Sequence, residues 1–232
     1  MTNPPYHTLV STDSHTQLVP ALGELLKNQD VNSIVMAYGY MTISEEIKRD
    51  WNQIKSWLSA DSSRKLEIYM GVWDKDKDCL KSSVWKYLLS TFGVKSFRCG
   101  NVALYGIRNL HTKIICIGKS RPQDNALSTI CDIEVVEAIV GSSNFTDASR
   151  YGDRIEIDLH LTRTHIANTD FTVKINDLRK WMLCELQCEM TEMPFYRDAL
   201  SDEHKTRGQA EQKSRDESWD AQEIGERAER ES

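Results

Sequence analysis

Residues 110–117 read Leu-His-Thr-Lys-Ile-Ile-Cys-Ile, a polar beginning followed by a run of apolar side chains. Such an apolar run is typical of a buried β-strand, and side chains two positions apart on a strand point to the same face. His111 and Lys113 therefore project together at the beginning of the predicted strand. The pattern predicts a nitrogen nucleophile beside a fixed positive charge.

A second polar motif, Gly-Ser-Ser-Asn-Phe-Thr, begins at Gly141 and follows another apolar segment. Ser142 and Asn144 are again two positions apart, so a hydroxyl and an amide can be directed at one point. Gly141 allows another backbone or a ligand to approach closely, because it has no side chain. We expect Ser142 and Asn144 to donate hydrogen bonds to phosphate oxygens.

A third segment, residues 154–161, alternates apolar and polar residues and predicts a strand with one polar face. Glu156, Asp158 and His160 lie on that polar face. A carboxylate that accepts the second ring N–H of His111 would fix the tautomer of the ring and stabilise the imidazolium. We assign this role to Glu156 and interpret Asp158 and His160 as ordinary polar residues of the strand.

In this order the three motifs resemble the HxK, GSxN and glutamate pattern of the phospholipase D superfamily, in particular its single-copy nucleases and metal-independent restriction endonucleases. The resemblance runs from about residue 10 to about residue 195. It implies an α/β fold in which helices flank a mixed central β-sheet, as in an α/β/α sandwich. One position departs from the family pattern, because Gly118 stands where the family has an aspartate further along the first strand.

The resemblance also implies a mechanism. His111 of one protomer attacks the phosphorus and forms a phosphohistidine, while His111 of a second protomer protonates the leaving oxygen. Lys113, Ser142 and Asn144 bind the phosphoryl oxygens, and Glu156 supports the histidine. No metal ion or other cofactor is implied. Because the family site takes two HxK motifs and this chain has one, a homodimer with the active site at its two-fold interface is implied.

The rest of the sequence predicts a catalytic domain over residues 1–198 and a polar tail over residues 199–232. The domain is expected to contain strands at 33–38, 66–72 and 94–97, a helix that ends at Gly93, and a last long helix with its N-cap at Asn168 or Thr169. The tail is almost wholly charged or small and polar, so it cannot bury a core of its own. It is predicted to be either disordered or a helix that docks on a protein partner.

The composition restricts the ligand and the compartment. With a formal net charge of −6, a polyanion site must be a local basic patch and not a property of the whole chain. No apolar run reaches the roughly 18 residues of a membrane span, and the polar start of the chain does not resemble a secretion signal. The six cysteines form no C-x-x-C pair, which favours free thiols. We expect a cytoplasmic protein without a membrane partner.

Three functions remain open from the sequence. The favoured one is an endonuclease that hydrolyses DNA, in a restriction or anti-phage defence system. The replacement at Gly118 keeps open a catalytically impaired binding or effector subunit that recruits a helicase or translocase. A phospholipid phosphodiesterase is less favoured, because no amphipathic or aromatic-rich segment stands out. No helix-turn-helix or zinc finger is present, so sequence-selective reading would require a further domain or a partner. The choice between DNA and RNA, and between single and double strand, stays open.

Overall fold

The structure is a computed structural model that describes residues 6–11, 18–72, 83–120, 132–150, 156–193, 195–207 and 209–210. For residues 6–11, 18–21 and 147–148 it describes the backbone alone. The chain divides into two compact units, Met1–Thr191 and Glu192–Ser232. Residues 154–155 of the third predicted segment and residues 211–232 of the predicted tail lie outside the described residues.

Within the described part of the chain, eight strands form one mixed sheet in the order β1-β7-β6-β5-β2-β3-β4-β8. The β2–β3 and β3–β4 pairs are parallel, and the other neighbours are antiparallel. The strands are β1 Tyr6–Ser11, β2 Ser33–Tyr38, β3 Lys65–Val72, β4 Val102–Arg108, β5 Lys113–Ser120, β6 Ile133–Gly141, β7 Glu156–Leu161 and β8 Leu186–Glu189.

Helices flank this sheet in two groups. The helices are α1 Leu18–Leu26, α2 Glu45–Ser59, α3 Ser83–Phe92, α4 Val94–Arg98, α5 Asp147–Arg150, α6 Arg163–Ala167 and α7 Phe171–Cys184. In one group α2 contacts both α1 and α3, and in the other α6 and α7 contact β6. The predicted fold class, a mixed central sheet flanked by helices, is confirmed.

The helix α2 shows how the sequence determines one of these elements. Ser44 caps the helix, because its hydroxyl accepts a hydrogen bond of 3.2 Å from the backbone N–H of Ile47. Ile47, Trp51 and Ile54 recur at intervals of three and four and are each fully buried. This stripe packs one face of the helix inward, and the charged side chains of the helix other than the buried Asp50 are at least partly exposed.

The strand β2 lies in the middle of the sheet and is buried along its whole length. Val35 and Ala37 belong to the core cluster that also contains Ile175 and Met182 of α7. The alternate residue Met36 is also fully buried. Because successive side chains on a strand point to opposite faces, both faces of the sheet are covered at this strand.

Some predictions of local structure were wrong. The segment predicted as a strand at 94–97 is the short helix α4, which follows the left-handed Gly93 at φ 78°. The N-cap of the last helix is Asp170 and not Asn168 or Thr169. The strands β1 and β8 had not been predicted.

Within the described parts of the chain, no helix is both long and apolar enough to cross a bilayer.

In the second unit, residues 195–207 and 209–210 are helical. All the side chains of residues 201–207 are exposed, in keeping with their polar sequence. The choice between disorder and a docking helix for residues 199–232 stays a prediction.

Candidate active site

The motif residues meet at one end of the sheet because of how the strands pair. Tyr38, the last residue of β2, lies opposite Lys113, the first residue of β5. The next strand, β6, runs antiparallel to β5 and ends at Gly141, which lies opposite Asp158 of β7. Residues that are far apart in sequence are therefore neighbours at this end, which carries the candidate site.

His111 lies in the turn that carries the chain from β4 to β5. Because β3 and β2 lie between these strands, the turn has to cross the ends of both. Asn109 makes this possible with a left-handed backbone at φ 51°, a conformation that asparagine tolerates better than most residues. Leu110 is buried and anchors the turn, whereas His111 is exposed. The turn therefore presents the histidine to solvent.

Two glycines lie where the turn crosses the neighbouring strands. A Cβ atom at Gly39 would lie 2.5 Å from the carbonyl oxygen of Leu110, and one at Gly71 would lie 2.8 Å from the same oxygen. Gly39 also donates a backbone hydrogen bond of 3.0 Å to the carbonyl of Thr112. The absence of side chains at both positions allows the turn to lie close against the sheet.

Lys113 and Asn144 line the same small recess, together with Tyr38, Arg150 and Asp158. The ammonium of Lys113 donates a hydrogen bond of 2.6 Å to the backbone carbonyl of His111, which ties the lysine to the turn. A cation and an amide at one recess can both donate to the oxygens of an anion.

The two consecutive serines of the Gly-Ser-Ser-Asn motif each hold one carboxylate of β7. The hydroxyl of Ser142 donates a hydrogen bond of 2.6 Å to Glu156, whose other oxygen accepts one of 2.8 Å from Ser149. Ser143 donates from both its hydroxyl and its backbone N–H to Asp158. Ser142 and Glu156, which were predicted to have different roles, thus form one hydrogen-bonded unit.

Asp158 lines the recess but was not predicted as a site residue. Its side chain is buried, and it lines the recess with Lys113 and Asn144. Burial raises the pKa of the Asp158 carboxyl above its ordinary value, while the hydrogen bonds from Ser143 act in the opposite direction. The alternation of the strand placed Asp158 on the same face as Glu156, but no sequence signal indicated that Asp158 would be the more buried of the two.

Phe145 fixes the position of the neighbouring Asn144. Its fully buried ring packs against Tyr38 at 5.4 Å and against Trp51 at 4.9 Å between ring centroids. Its carbonyl accepts a hydrogen bond of 3.1 Å from the backbone N–H of Thr42. Aromatic contacts and a backbone bond therefore hold the residue that follows the asparagine.

A buried ion pair lies beside the same recess. Arg150 donates from Nε to Asp50 of α2 at 2.5 Å, and both side chains are almost completely inaccessible to solvent. The guanidinium also lies over the ring of Phe145, 5.0 Å from its centroid. Arg150 was not predicted as a site residue.

Solved structures share this arrangement of strands and helices, whereas no protein-family model and no curated protein matches the sequence. Phosphatidylserine synthase from Haemophilus influenzae is similar with a TM-score of 0.56 at 11% identity, over 90% of this chain and 47% of that chain. Nuc from Salmonella typhimurium, a phospholipase D family member, is similar with a TM-score of 0.47 at 13% identity, over 78% and 95% of the two chains. NucT from Helicobacter pylori is similar with a TM-score of 0.46 at 17% identity, over 78% of this chain and 98% of that chain.

The chain has a phospholipase D-like fold. The fold that the motifs implied is thereby confirmed. At these identities the likeness shows the fold alone.

Gly118 is the position at which this chain departs from the phospholipase D-like motif. A Cβ atom there would lie well inside contact distance of the carbonyl oxygen of Glu134 on β6. The position is five residues from Lys113 along β5, which is about 16 Å at about 3.3 Å per residue. Close packing between β5 and β6 therefore accounts for the glycine, and the replacement does not alter the recess directly.

The structure thus brings some residues of the predicted site together directly. Lys113 and Asn144 share a recess, Ser142 is bonded to Glu156, and His111 is exposed at the same end of the sheet. Their roles in catalysis stay predictions. Within the described parts of the chain, no three or more His, Cys, Asp or Glu side chains are grouped as a metal site would require.

Proposed function

We propose that this chain is a metal-independent phosphodiesterase that hydrolyses DNA as a homodimer. The observation that supports this most is that Lys113 and Asn144 line one recess beside the turn that exposes His111. A nucleophilic ring, a cation and an amide donor at one place are what phosphoryl transfer through a histidine needs.

In the first step a ring nitrogen of His111 attacks the phosphorus of the diester. A P–N bond forms as the P–O bond to the leaving group breaks, and the leaving oxygen takes a proton from His111 of the second subunit. Lys113 and Asn144 donate to the phosphoryl oxygens as negative charge builds up on them.

In the second step a water molecule attacks the phosphohistidine. His111 of the second subunit, now neutral, takes a proton from this water, and the P–N bond breaks as the new P–O bond forms. The products are an alcohol end and a phosphomonoester end, and both histidines return to their starting states.

Glu156 is the proposed partner of the nucleophilic ring. The hydroxyls of Ser142 and Ser149 each donate to one of its oxygens, so the carboxylate is held before substrate binds. A carboxylate oxygen that accepts one hydrogen bond can accept a second, so Glu156 can still accept a ring N–H. We propose that it fixes the tautomer of His111 and stabilises the imidazolium.

DNA is the proposed substrate, in a restriction or anti-phage defence system as the resemblance implies. Tyr40 directly follows Gly39 at the same end of the sheet and is 58% exposed. An exposed ring beside a phosphate site can stack on a base, which favours a nucleic acid over a lipid. The overall negative charge requires that the attraction to the backbone be local.

Cleavage of plasmid and single-stranded DNA in the presence of EDTA tests the proposal. We expect the wild type to cleave with EDTA present, and His111→Ala to lose at least about 1000-fold in rate because the nucleophile is gone. His204→Ala is the matched control, because it removes an exposed histidine of the second unit. Loss of wild-type cleavage on adding EDTA would contradict a metal-independent mechanism.

The alternatives from the sequence are separated by two further measurements. A catalytically impaired binding subunit would form no covalent phosphoenzyme on a model diester, whereas the proposed enzyme forms one on His111. A phospholipid phosphodiesterase would release head groups from phospholipid vesicles, and we expect no such release.

A further inference from the structure

We propose that Arg150 is a positioning residue, which holds the Asn144 amide through one bound water so that its NH₂ group is presented to the substrate. This inference rests on the proposed function, in which Asn144 donates to a phosphoryl oxygen. It goes further by assigning a role to a buried arginine that the proposed mechanism does not use.

The guanidinium of Arg150 is fixed in place from two sides. Nε donates to the buried carboxylate of Asp50 at 2.5 Å, and the guanidinium plane lies over the Phe145 ring. The side chain is only 5% exposed. A guanidinium that is held this rigidly can keep the groups that hydrogen-bond to it in one orientation.

Two buried polar atoms belong to residues that line this recess and have unused hydrogen-bonding capacity. Nη2 of Arg150 and Oδ1 of Asn144 are both shielded from solvent, and neither has a hydrogen-bond partner among the residues that the structure describes. One is a donor and the other an acceptor. Buried polar atoms of this kind are rarely left unsatisfied, so a small molecule with both functions is expected between them.

The size of the recess identifies that molecule as water. Both Arg150 and Asn144 line it, and about 10 Å³ of it is open to the centre of a water molecule, which is about the least space that holds one water. A water there can accept from Nη2 and donate to Oδ1. The Asp158 carboxylate lines the same recess and offers a second acceptor, which meets the usual requirement of two to four polar partners.

The charge of Arg150 determines which way the Asn144 amide faces. With Oδ1 in the recess the amide completes a chain of donor, water and acceptor. If Nδ2 were in the recess, the partly positive N–H groups of the amide would face the positive Arg150 and Lys113, which also line it. The observed orientation is therefore favoured, and it leaves Nδ2 on the other side of the amide, available to a phosphoryl oxygen.

The variant Arg150→Lys separates this role from the ion pair with Asp50. Lysine keeps the positive charge beside Asp50 but has no second nitrogen to hold the water. We expect kcat in EDTA to fall by about 10-fold to 100-fold, approaching the effect of Asn144→Ala, while KM changes little. The urea midpoint of unfolding should stay close to that of the wild type.

A double-mutant cycle distinguishes positioning through Asn144 from a merely structural role. In the Asn144→Ala background, Arg150→Lys should cause no further loss of kcat, because the group it positions is absent. An equal loss in both backgrounds, or no loss in the wild-type background, overturns the inference. If Arg150→Lys does not fold, the paired variant Asp50→Asn/Arg150→Gln, which removes both buried charges, takes its place in the cycle.

A high-resolution crystal structure provides a readout that does not depend on activity. We expect one water within hydrogen-bond distance of both Nη2 of Arg150 and Oδ1 of Asn144, and its loss in Arg150→Lys. A wild-type structure without this water overturns the inference even if the enzyme is active. An inactive wild type overturns the proposed function instead, so the two failures can be told apart.

Discussion

At the scale of single residues, Gly39 determines the position of the turn that carries His111, because it leaves room for the carbonyl of Leu110. In Gly39→Ala the new Cβ would lie 2.5 Å from that oxygen, and the backbone of the turn has to move. We expect DNA cleavage to fall by about 100-fold, since a displacement of about 1 Å at a reacting group has that effect. The free energy of unfolding should fall by about 1–3 kcal/mol. A cleavage assay and urea unfolding measure the two effects.

The matched control for this substitution is Gly23→Ala in α1. A Cβ atom at Gly23 would find its nearest neighbour, Oε1 of Gln53, at 3.8 Å, which is ordinary contact. Alanine at a helical position should raise the free energy of unfolding by up to about 1 kcal/mol and leave cleavage unchanged. If Gly39→Ala cleaves as fast as Gly23→Ala, the glycine does not position the histidine.

The raised pKa of Asp158 predicts a pH dependence of stability. A carboxyl whose pKa is higher in the folded state contributes stability below its unfolded pKa and loses it as the pH rises through the folded value. Asp158→Asn removes this loss, so the stability of the variant relative to the wild type should increase as the pH rises above about 4. Urea unfolding at a series of pH values measures the difference.

Asp61 provides a control with the opposite sign. The backbone N–H of Ser63 donates to its carboxylate and lowers the pKa of Asp61. Asp61→Asn should therefore lose stability relative to the wild type as the pH rises, although the effect is small at an exposed position. Parallel pH profiles for the Asp158 and Asp61 variants would contradict the prediction.

The same residues show what a sequence can reveal about this site. His111, Lys113 and Asn144 were found from local patterns of residues two apart, although the structure places His111 in the turn before β5 and Asn144 in the segment after β6. Arg150 was missed because its carboxylate partner, Asp50, is 100 residues away along the chain. Contacts of that range arise only from the folded arrangement of α2 and α5.

At the scale of secondary-structure elements, a buried ion pair holds α7 against the sheet. Arg179 of α7 is only 2% exposed and pairs with both carboxylate oxygens of Glu67 on β3 at 2.6–3.0 Å. Arg179→Leu leaves that carboxylate without its cation, and we expect the free energy of unfolding to fall by about 3 kcal/mol. Urea unfolding measures the change.

An exposed ion pair on the same helix provides the comparison. Lys174 and Asp170 lie 3.7 Å apart, and both side chains are more than two-thirds exposed. Lys174→Ala should change the free energy of unfolding by no more than about 0.5 kcal/mol, because water and salt screen the pair. Equal effects of Arg179→Leu and Lys174→Ala would mean that the Arg179–Glu67 pair does not hold the helix to the sheet.

The elements that were predicted correctly are those with a strong internal pattern. The strand β2 has an unbroken apolar run, and α2 has an apolar stripe at helical spacing. The edge strand β8 was missed because it has only four residues, and β1, which is as long as β2, was missed because it lacks an unbroken apolar run. The segment at 94–97 was assigned to a strand on a few apolar residues, whereas the left-handed Gly93 starts a short helix with only Phe97 buried.

At the scale of the whole molecule, the order of the strands brings the motifs together. The first motif ends at Lys113, where β5 begins, and the second begins at Gly141, where β6 ends. These two strands are antiparallel neighbours. The sequence gives the order of the motifs along the chain but not the order of the strands in the sheet. The family resemblance implied a mixed sheet and one shared site, but not which strands are neighbours, and composition and periodicity could not predict that either.

The number of chains at the active site can be measured with mixed dimers. If one site needs His111 from each of two subunits, a mixed dimer of wild type and His111→Ala has no complete site. With both forms co-expressed at equal levels, random pairing leaves about a quarter of the dimers wild type in both chains. We therefore expect about a quarter of the activity of the same amount of wild-type protein, and full activity when the partner form is His204→Ala. Half of the activity would mean that each chain acts alone, as would sedimentation of the active species at the 26.7 kDa mass of one chain.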